Sequence, residues 1–491
     1  METNSMPSAE SRFGGCKPTD GAYGFKSRVI GHLKTRYGQI AAGLSASLIV
    51  GASPFAISHP LVVLAVCLLP IAALVVLAAP LIMGLLFVTF SFFRIHEAIP
   101  QLYSLKIPQL LALATLAGLF WHLAARRLQP FWSRELTLFF AFFFIATISV
   151  VFATARENAM GMWSGTYIKV AIMVLVICWI TRTPKDFALA TRLFVGAGIL
   201  IAVIAISNKM NGIGLVEGTR VTIGRDIGSQ IGDPNDLALV LLFPASFALS
   251  LLLTRGMSPM SRIFGGIAFV VVVWGIIATQ SRGGLLGIVA VCGVFGVRTI
   301  KSKAVLAMIA AVGLMGLFAM AGINDRQSGG AAESGIDESA MGRIYAWGAA
   351  WKMAITHPLT GVGMDSFNNN YFFYSSHWDG KNHAVHSTWF QIMAETGFIG
   401  FLIFVSLIGR VGLTAWNSVK RAWSGDLPDF WSDGEKTAIR GMSMALLAGL
   451  AGISVSCTFL TMGYTWPLYM LLALTVALAR TLATAGTANA A

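Results

Sequence analysis

A succession of continuous apolar runs, each close to the width of a bilayer, constrains this chain more than any other feature. A helix needs about 20 predominantly apolar residues to cross a hydrocarbon core. Such runs fall near 39–58, 61–78, 81–93, 108–124, 135–153, 166–180, 187–206, 236–253, 263–279, 283–297, 304–321, 388–409, 442–459 and 466–480. Several are short by that criterion, and Pro70 within the second and Pro80 just before the third make those two the weakest. The runs are unbroken rather than alternating with period two, which argues against barrel strands. Only 12% of the residues are charged, against roughly 25% in a soluble domain. The expected fold class is therefore an all-α polytopic integral membrane protein, with about 12–14 transmembrane helices.

Lysine and arginine set the expected orientation. Lys26, Arg28, Lys34 and Arg36 precede the first run, and Arg126, Arg127 and Arg134 follow the fourth. Arg182, Lys185 and Arg192 follow the sixth, Arg255 and Arg262 the eighth, Arg298, Lys301 and Lys303 the tenth. Lys420, Arg421, Lys436 and Arg440 lie before the thirteenth. All fall on one side if the amino terminus is inside, which makes that side cytoplasmic. The net charge of +13 is then a topology signal, and no nucleic-acid partner is expected. The division that follows is a cytoplasmic tail at 1–38, a transmembrane bundle at 39–320, a large external loop at 321–388, further transmembrane helices at 389–483 and a tail at 484–491. Cys67, Cys178, Cys292 and Cys457 lie in apolar runs and Cys16 in the amino-terminal tail, so no disulfide framework is expected. The tail before Gln39 lacks the pattern of a cleaved signal peptide, so the first span is expected to be retained.

The long polar island from Gly322 to His386 is where chemistry is expected. It holds His357, His377, His383 and His386, four of the eight histidines. Residues 327–340 read as a flexible Gly/Ser/Ala-rich connector. From Met341 the pattern is that of an amphipathic interfacial helix, with Trp347 and Trp351 one turn apart. Those rings read as packing rather than as a cofactor box. Thr356-His357-Pro358 ends the helix. Arg343, placed in its first turn, opposes the helix dipole and hints at an anionic neighbour. Residues 368–374 have the polar and aromatic character of carbohydrate contacts. His383 and His386 stand three apart, which on a helix shares a face. With His377 and Asp379 they could bind zinc. The more attractive reading is a histidine general base at the outer end of a span, and the blandest is a hydrogen-bonded helix start. Glu395 falls inside the next span and must be paired or hydrogen-bonded.

Two shorter segments reach the same side. Residues 207–236 form a glycine-rich polar loop with Arg220, Arg225 and Asp226, ending at Asp233-Pro234-Asn235-Asp236. That ending reads as a helix start, with Asp233 as N-cap and Pro234 at the first position, and ligand contact is the alternative. The turn Gln280-Ser281-Arg282-Gly283-Gly284 forces an arginine against the membrane boundary. It either snorkels to headgroups or meets an anion, since Gly283 and Gly284 permit close approach of a ligand or a backbone.

Taken in order, Ser339-Ala340-Met341-Gly342-Arg343-Ile344 with Trp347, the Gly361-Val362-Gly363 turn, and His386-Ser387 with Gln391, Glu395 and Gly397 resemble the outer-loop signature of the O-antigen ligase and polymerase superfamily. The resemblance is nearest to O-glycosylation ligases associated with exosortase systems. The Gln280–Gly283 turn and the Asp-Pro-Asn-Asp helix start look like that family too, giving motif support over roughly 224–404. The resemblance implies a GT-C-like glycosyltransferase of the bacterial inner membrane, with its large loop periplasmic. It implies a polyprenyl (undecaprenyl) diphosphate-linked glycan as donor, and a lipid, protein or glycan as acceptor, among membrane lipids. Arg282 and Arg343 match the two family arginines that hold the diphosphate, and His386 matches the proposed base. Arg225, Arg220, His383 and Glu395 are additional candidates. No cofactor and no metal is expected, because guanidinium groups neutralise a diphosphate leaving group. A polymerase of the same superfamily is one alternative. A transporter or flippase of lipid-linked glycan is another, although polar groups crowd one loop here and no internal repeat is visible.

Overall fold

The computed structural model describes residues 47, 68, 70, 71, 73–321, 338–378, 380, 382–425 and 427–490. The expected spans near 39–58 and 61–78, most of the connector, Asp379, Cys16, Cys67 and the basic amino-terminal tail lie wholly or largely outside them. By internal contacts the chain divides into Met1–Ala78 and Ala79–Ala491, and the second unit holds every helix named below.

That unit begins with α1 (Pro80–Phe92) and two one-turn helices, Ile95–Ala98 and Pro100–Tyr103. Then come α2 (Ile107–Ala124), α3 (Arg134–Val151) and α4 (Arg156–Ile180), the last carrying a π-helical turn at Trp163–Tyr167. After α5 (Pro184–Met210), a two-residue antiparallel hairpin pairs Leu215–Val216 with Arg220–Val221, and a 3₁₀ turn covers Gln230–Gly232. Next are α6 (Pro234–Leu253), α7 (Pro259–Thr279), α8 (Arg282–Thr299) and α9 (Lys303–Ala321). The second half holds α10 (Glu338–Thr356), α11 (Phe367–Tyr374), α12 (Thr388–Trp423), α13 (Asp433–Cys457) and α14 (Trp466–Ala490). Among the described residues eleven helices are long and apolar enough to cross a membrane, all but α1, α10 and α11. The chain is an all-α polytopic membrane protein. Helix α1, with 13 residues, rises only about 20 Å and falls short of a full crossing.

Several helices run past the apolar runs that announce them, because caps rather than hydropathy set their ends. Thr183 and Asp186 form a reciprocal capping box at α5, as do Ser432 and Glu435 at α13. Helix α14 continues to Ala490, through the stretch expected to be a tail. Helix α6 is the hub, with 83% of its spanning window buried, against 6% for α9. A helix apolar on every side and so little covered by protein presents its side chains to lipid. Small residues bring the central helices together. A Cβ on Gly452 of α13 would lie 2.8 Å from the Gly287 carbonyl of α8, and one on Gly284 would lie 2.6 Å from the Ala238 Cβ of α6. Gly283 and Gly284 therefore serve close approach of protein.

One end of the bundle gathers the basic residues of the sequence pattern. The Arg298 guanidinium lies 3.7 Å above the Trp423 ring, and Arg440 Nε donates to the Ala422 carbonyl at 3.1 Å. Near this end, buried Glu135 of α3 accepts from Arg410 Nε at 2.9 Å and from Thr414 Oγ1 at 2.7 Å. Helix α12 is broken at Gly397, whose φ of 69° and ψ of −172° no residue with a side chain adopts comfortably. The turn after α10 is wedged into the break. Phe398 N–H donates to the Pro358 carbonyl at 2.8 Å, Val362 N–H to the Ala394 carbonyl at 2.9 Å, and Thr154 N–H to the Val362 carbonyl at 3.1 Å. The backbone groups freed by the break are thus satisfied by protein, as non-helical backbone at such a place requires.

Candidate active site

The site forms at the end of the bundle away from the basic cluster, where three distant stretches of sequence meet. Residues 382–387 are irregular rather than helical, so His383 and His386 do not share a helix face as their spacing suggested. The reason is the start of α12. Thr388 Oγ1 donates to the Leu460 carbonyl at 2.7 Å and accepts from Met462 N–H at 3.1 Å, while Gln391 Oε1 accepts from Gly463 N–H at 2.9 Å. These bonds staple the helix start to the loop joining α13 and α14, and the helix begins only after the extended N-cap Ser387.

His386 sits just before that staple in the left-handed region, with φ of 46°. Trp347 of α10 fixes its neighbour: Trp347 Nε1 donates to the Val385 carbonyl at 3.1 Å, and its ring stacks on Phe390 with centroids 5.2 Å apart. Burial holds the His386 imidazole below its ordinary value; the Arg343, His383 and Arg220 charges push the same way, and Asp233 opposes them. The imidazole is thus kept neutral and able to accept a proton near neutral pH. His383 meets the buried Tyr371 ring edge-on at 5.4 Å, and His377 stacks on Tyr345 at 4.8 Å. Among the described residues no group of three or more His, Cys, Asp or Glu side chains is placed to hold a metal ion.

The arginines occupy different positions. Arg343 lies in the second turn of α10, because that helix starts at Glu338 rather than Met341, so the dipole argument does not apply to it. Its guanidinium carbon is 5.7 Å from the Phe459 ring centroid. Arg282 is half-buried at the first position of α8, after the Ser281 N-cap. A Cβ on the adjoining Gly283 would lie 3.3 Å from the Phe459 Cβ, so the start of α8 packs against the phenylalanine that Arg343 approaches. Arg220 is buried: its Nε donates to the Thr279 carbonyl at 3.3 Å, its Nη2 to Asn235 Oδ1 at 2.8 Å, and Glu217 lies 3.7 Å from Nη1. Arg225 is exposed, with Nη1 donating to the Gly232 carbonyl at 3.2 Å. Asp233 is the N-cap of α6, accepting from Asn235 N–H at 2.7 Å.

The charges of Arg220, Asp233, Arg343 and His383 all act on His386, and Arg282 stands at the α8 start, whose Gly283 packs against Phe459. Glu395 lies apart, buried beside the α12 break. It accepts from Phe367 N–H at 3.2 Å and from Gln391 Nε2 at 3.3 Å, which gives it the partners its location demanded. Sequence reasoning missed Phe459 and the 458–465 loop. The signal available was weak: a Thr-Met-Gly-Tyr-Thr stretch between two apolar runs.

A many-helix membrane protein with a histidine and arginines gathered at one end of its bundle fits the class of membrane enzymes that work at a bilayer surface. Residues 267–405, less than a third of the chain, match the family model described as O-Antigen ligase (Wzy_C), and this supports the resemblance to the O-antigen ligase superfamily. The match spans Arg282, Arg343, His386 and Glu395 and stops short of Arg220, Arg225 and Asp233. A search of curated proteins returned no match to the chain. The matched segment supports a membrane enzyme of the O-antigen ligase or polymerase type.

Proposed function

We propose that the protein transfers a saccharide or polysaccharide from a polyprenyl diphosphate carrier to an acceptor hydroxyl at the periplasmic face of the inner membrane. The observation that carries this reading is the placement of neutral His386 within the fields of Arg343, Arg220 and Asp233, beside the α8 start that bears Arg282. In the proposed reaction His386 accepts the proton of the acceptor hydroxyl as its oxygen attacks the anomeric carbon. The bond from that carbon to the diphosphate oxygen breaks, and the polyprenyl diphosphate leaves with the bonding pair. Arg282 and Arg343 bind the departing diphosphate by charge-assisted hydrogen bonds that strengthen as its charge develops. Guanidinium groups supply that neutralisation without a divalent metal. In-line attack inverts the anomeric configuration. Arg220, anchored to Asn235 and Thr279, and Asp233 tune the imidazole electrostatically.

Purified protein given a lipid-linked donor and candidate acceptors tests the reading. His386→Ala is expected to lower turnover by about 10²–10⁴-fold, and Arg282→Ala and Arg343→Ala to abolish transfer while insertion stays normal. Full activity in the His386 variant would remove the base from the mechanism. In cells, build-up of lipid-linked glycan on the periplasmic side agrees with a transferase, and cytoplasmic build-up with a flippase.

A further inference from the structure

A cavity of about 460 Å³ opens between α1, α2, α4 and the start of α14. None of the proposed transfer residues lines it. Three cations do: Arg94, Lys106 and Lys169. The one carboxylate present, Glu97, is already engaged by Arg94 Nη1 at 2.8 Å and by Ser229 Oγ at 2.5 Å. His96 adds no charge near neutral pH, because burial lowers its pKa and outweighs the raising effect of Glu97. Most of the remaining wall is apolar, including Leu116, Ile172 and Trp466, with Ser91, Gln109 and Thr166 among its polar members. Positive charge above a greasy wall is the recognition chemistry of an anionic amphiphile.

Three features mark the cavity as built for an occupant. Arg94 and Lys106 are both held in the left-handed region, at φ of 52° and 47°, where residues with a side chain are strained. Buried Arg94 Nε has no hydrogen-bond partner among the described residues. Lys169 stands inside the spanning helix α4, with no carboxylate within 4 Å among the described residues, just past the π-helical turn whose Gly165 and Thr166 also line the cavity. Ionisable groups within spans and π-helical turns both concentrate at functional sites.

We infer that this cavity binds the phosphate of a lipid, with Arg94, Lys106 and Lys169 around the headgroup and the chain laid against the apolar wall. A phosphate monoester carries about −1.5 to −2 charges near neutral pH, which matches what the cations leave uncompensated. One hydrogen bond leads from the cavity toward the transfer site: Arg94 Nη2 donates to Gln230 Oε1 at 3.2 Å, and the turn holding Gln230 ends at Asp233, the N-cap whose charge acts on His386. The inference does not depend on the glycosyl-transfer reading.

Native mass spectrometry of the purified full chain, offered polyprenyl monophosphate, dioleoyl phosphatidic acid or uncharged dioleoylglycerol, tests it. The phosphate lipids are expected to be retained and the diacylglycerol lost. Lys106→Gln combined with Lys169→Met should weaken retention about tenfold or more, and thermal melting checks that the variant is folded. Arg343→Ala should lose transfer yet keep the bound lipid, which separates this site from the other. Stronger retention of polyprenyl monophosphate names the glycan carrier as the source, and equal retention names bulk anionic phospholipid. Equal retention of diacylglycerol, undiminished binding in the double variant, or loss of binding in Arg343→Ala would overturn the assignment.

Discussion

At the scale of residues, the protonation of His386 is the quantity to measure. Its neutral form accepts a proton, and burial with the Arg343 charge favours that form. The acid limb of the pH–rate profile is therefore expected below the ordinary imidazole value of about 6.5. Among the described residues Asp233 opposes the shift through its charge. Asp233→Asn keeps an acceptor for the α6 N-cap and removes that charge, so the acid limb should move to still lower pH. An unmoved limb would mean that Asp233 acts on the helix alone. His386 and Arg343 were legible in the sequence because they stand in an isolated polar island. The role of Arg220 was not, since its partners Asn235 and Thr279 become neighbours only when α6 and α7 pack.

Elements show where a sequence pattern hides its purpose. The Gly361-Val362-Gly363 segment reads in sequence as a turn, and in the fold it fills the break in α12. A Cβ at Gly361, where φ is 62°, would lie 2.4 Å from the Ala394 carbonyl, and one at Gly363 would lie 2.3 Å from the Ala153 Cα. Gly361→Ala should cost about 1–3 kcal/mol through strain and collision, read as a lowered melting temperature in detergent. Gly348→Ala on α10, with nothing within 4 Å of its added Cβ, should be neutral or slightly stabilising. Equal melting of the two variants would show that the wedge contributes nothing. Helix existence was plain from apolar runs, whereas helix ends were not. Caps such as Thr183 with Asp186 extend hydrogen bonding into polar sequence, and the Gly397 break interrupts an apolar run that gives no notice of it.

For the whole molecule, the charge pattern and the three-dimensional arrangement can be tested together. A periplasmic site predicts that, in a background without native cysteines, Ser376→Cys reacts with a membrane-impermeant maleimide on intact cells while Ser424→Cys does not. Both positions are exposed, so the reverse pattern would invert the orientation. The fold class was legible because a bilayer leaves few solutions for a chain this apolar. The site was only partly so, since stretches near 220, 343, 386 and 459 meet through helix packing. Loops commonly tolerate changes of length. The five-residue passage from Leu359 to Gly363 should not: one inserted amino acid would have to give up its pairing with Ala394 or Thr154, or drive a side chain into the α12 carbonyls. Homologous enzymes should therefore vary freely in the size of the external segment and keep that passage at constant length.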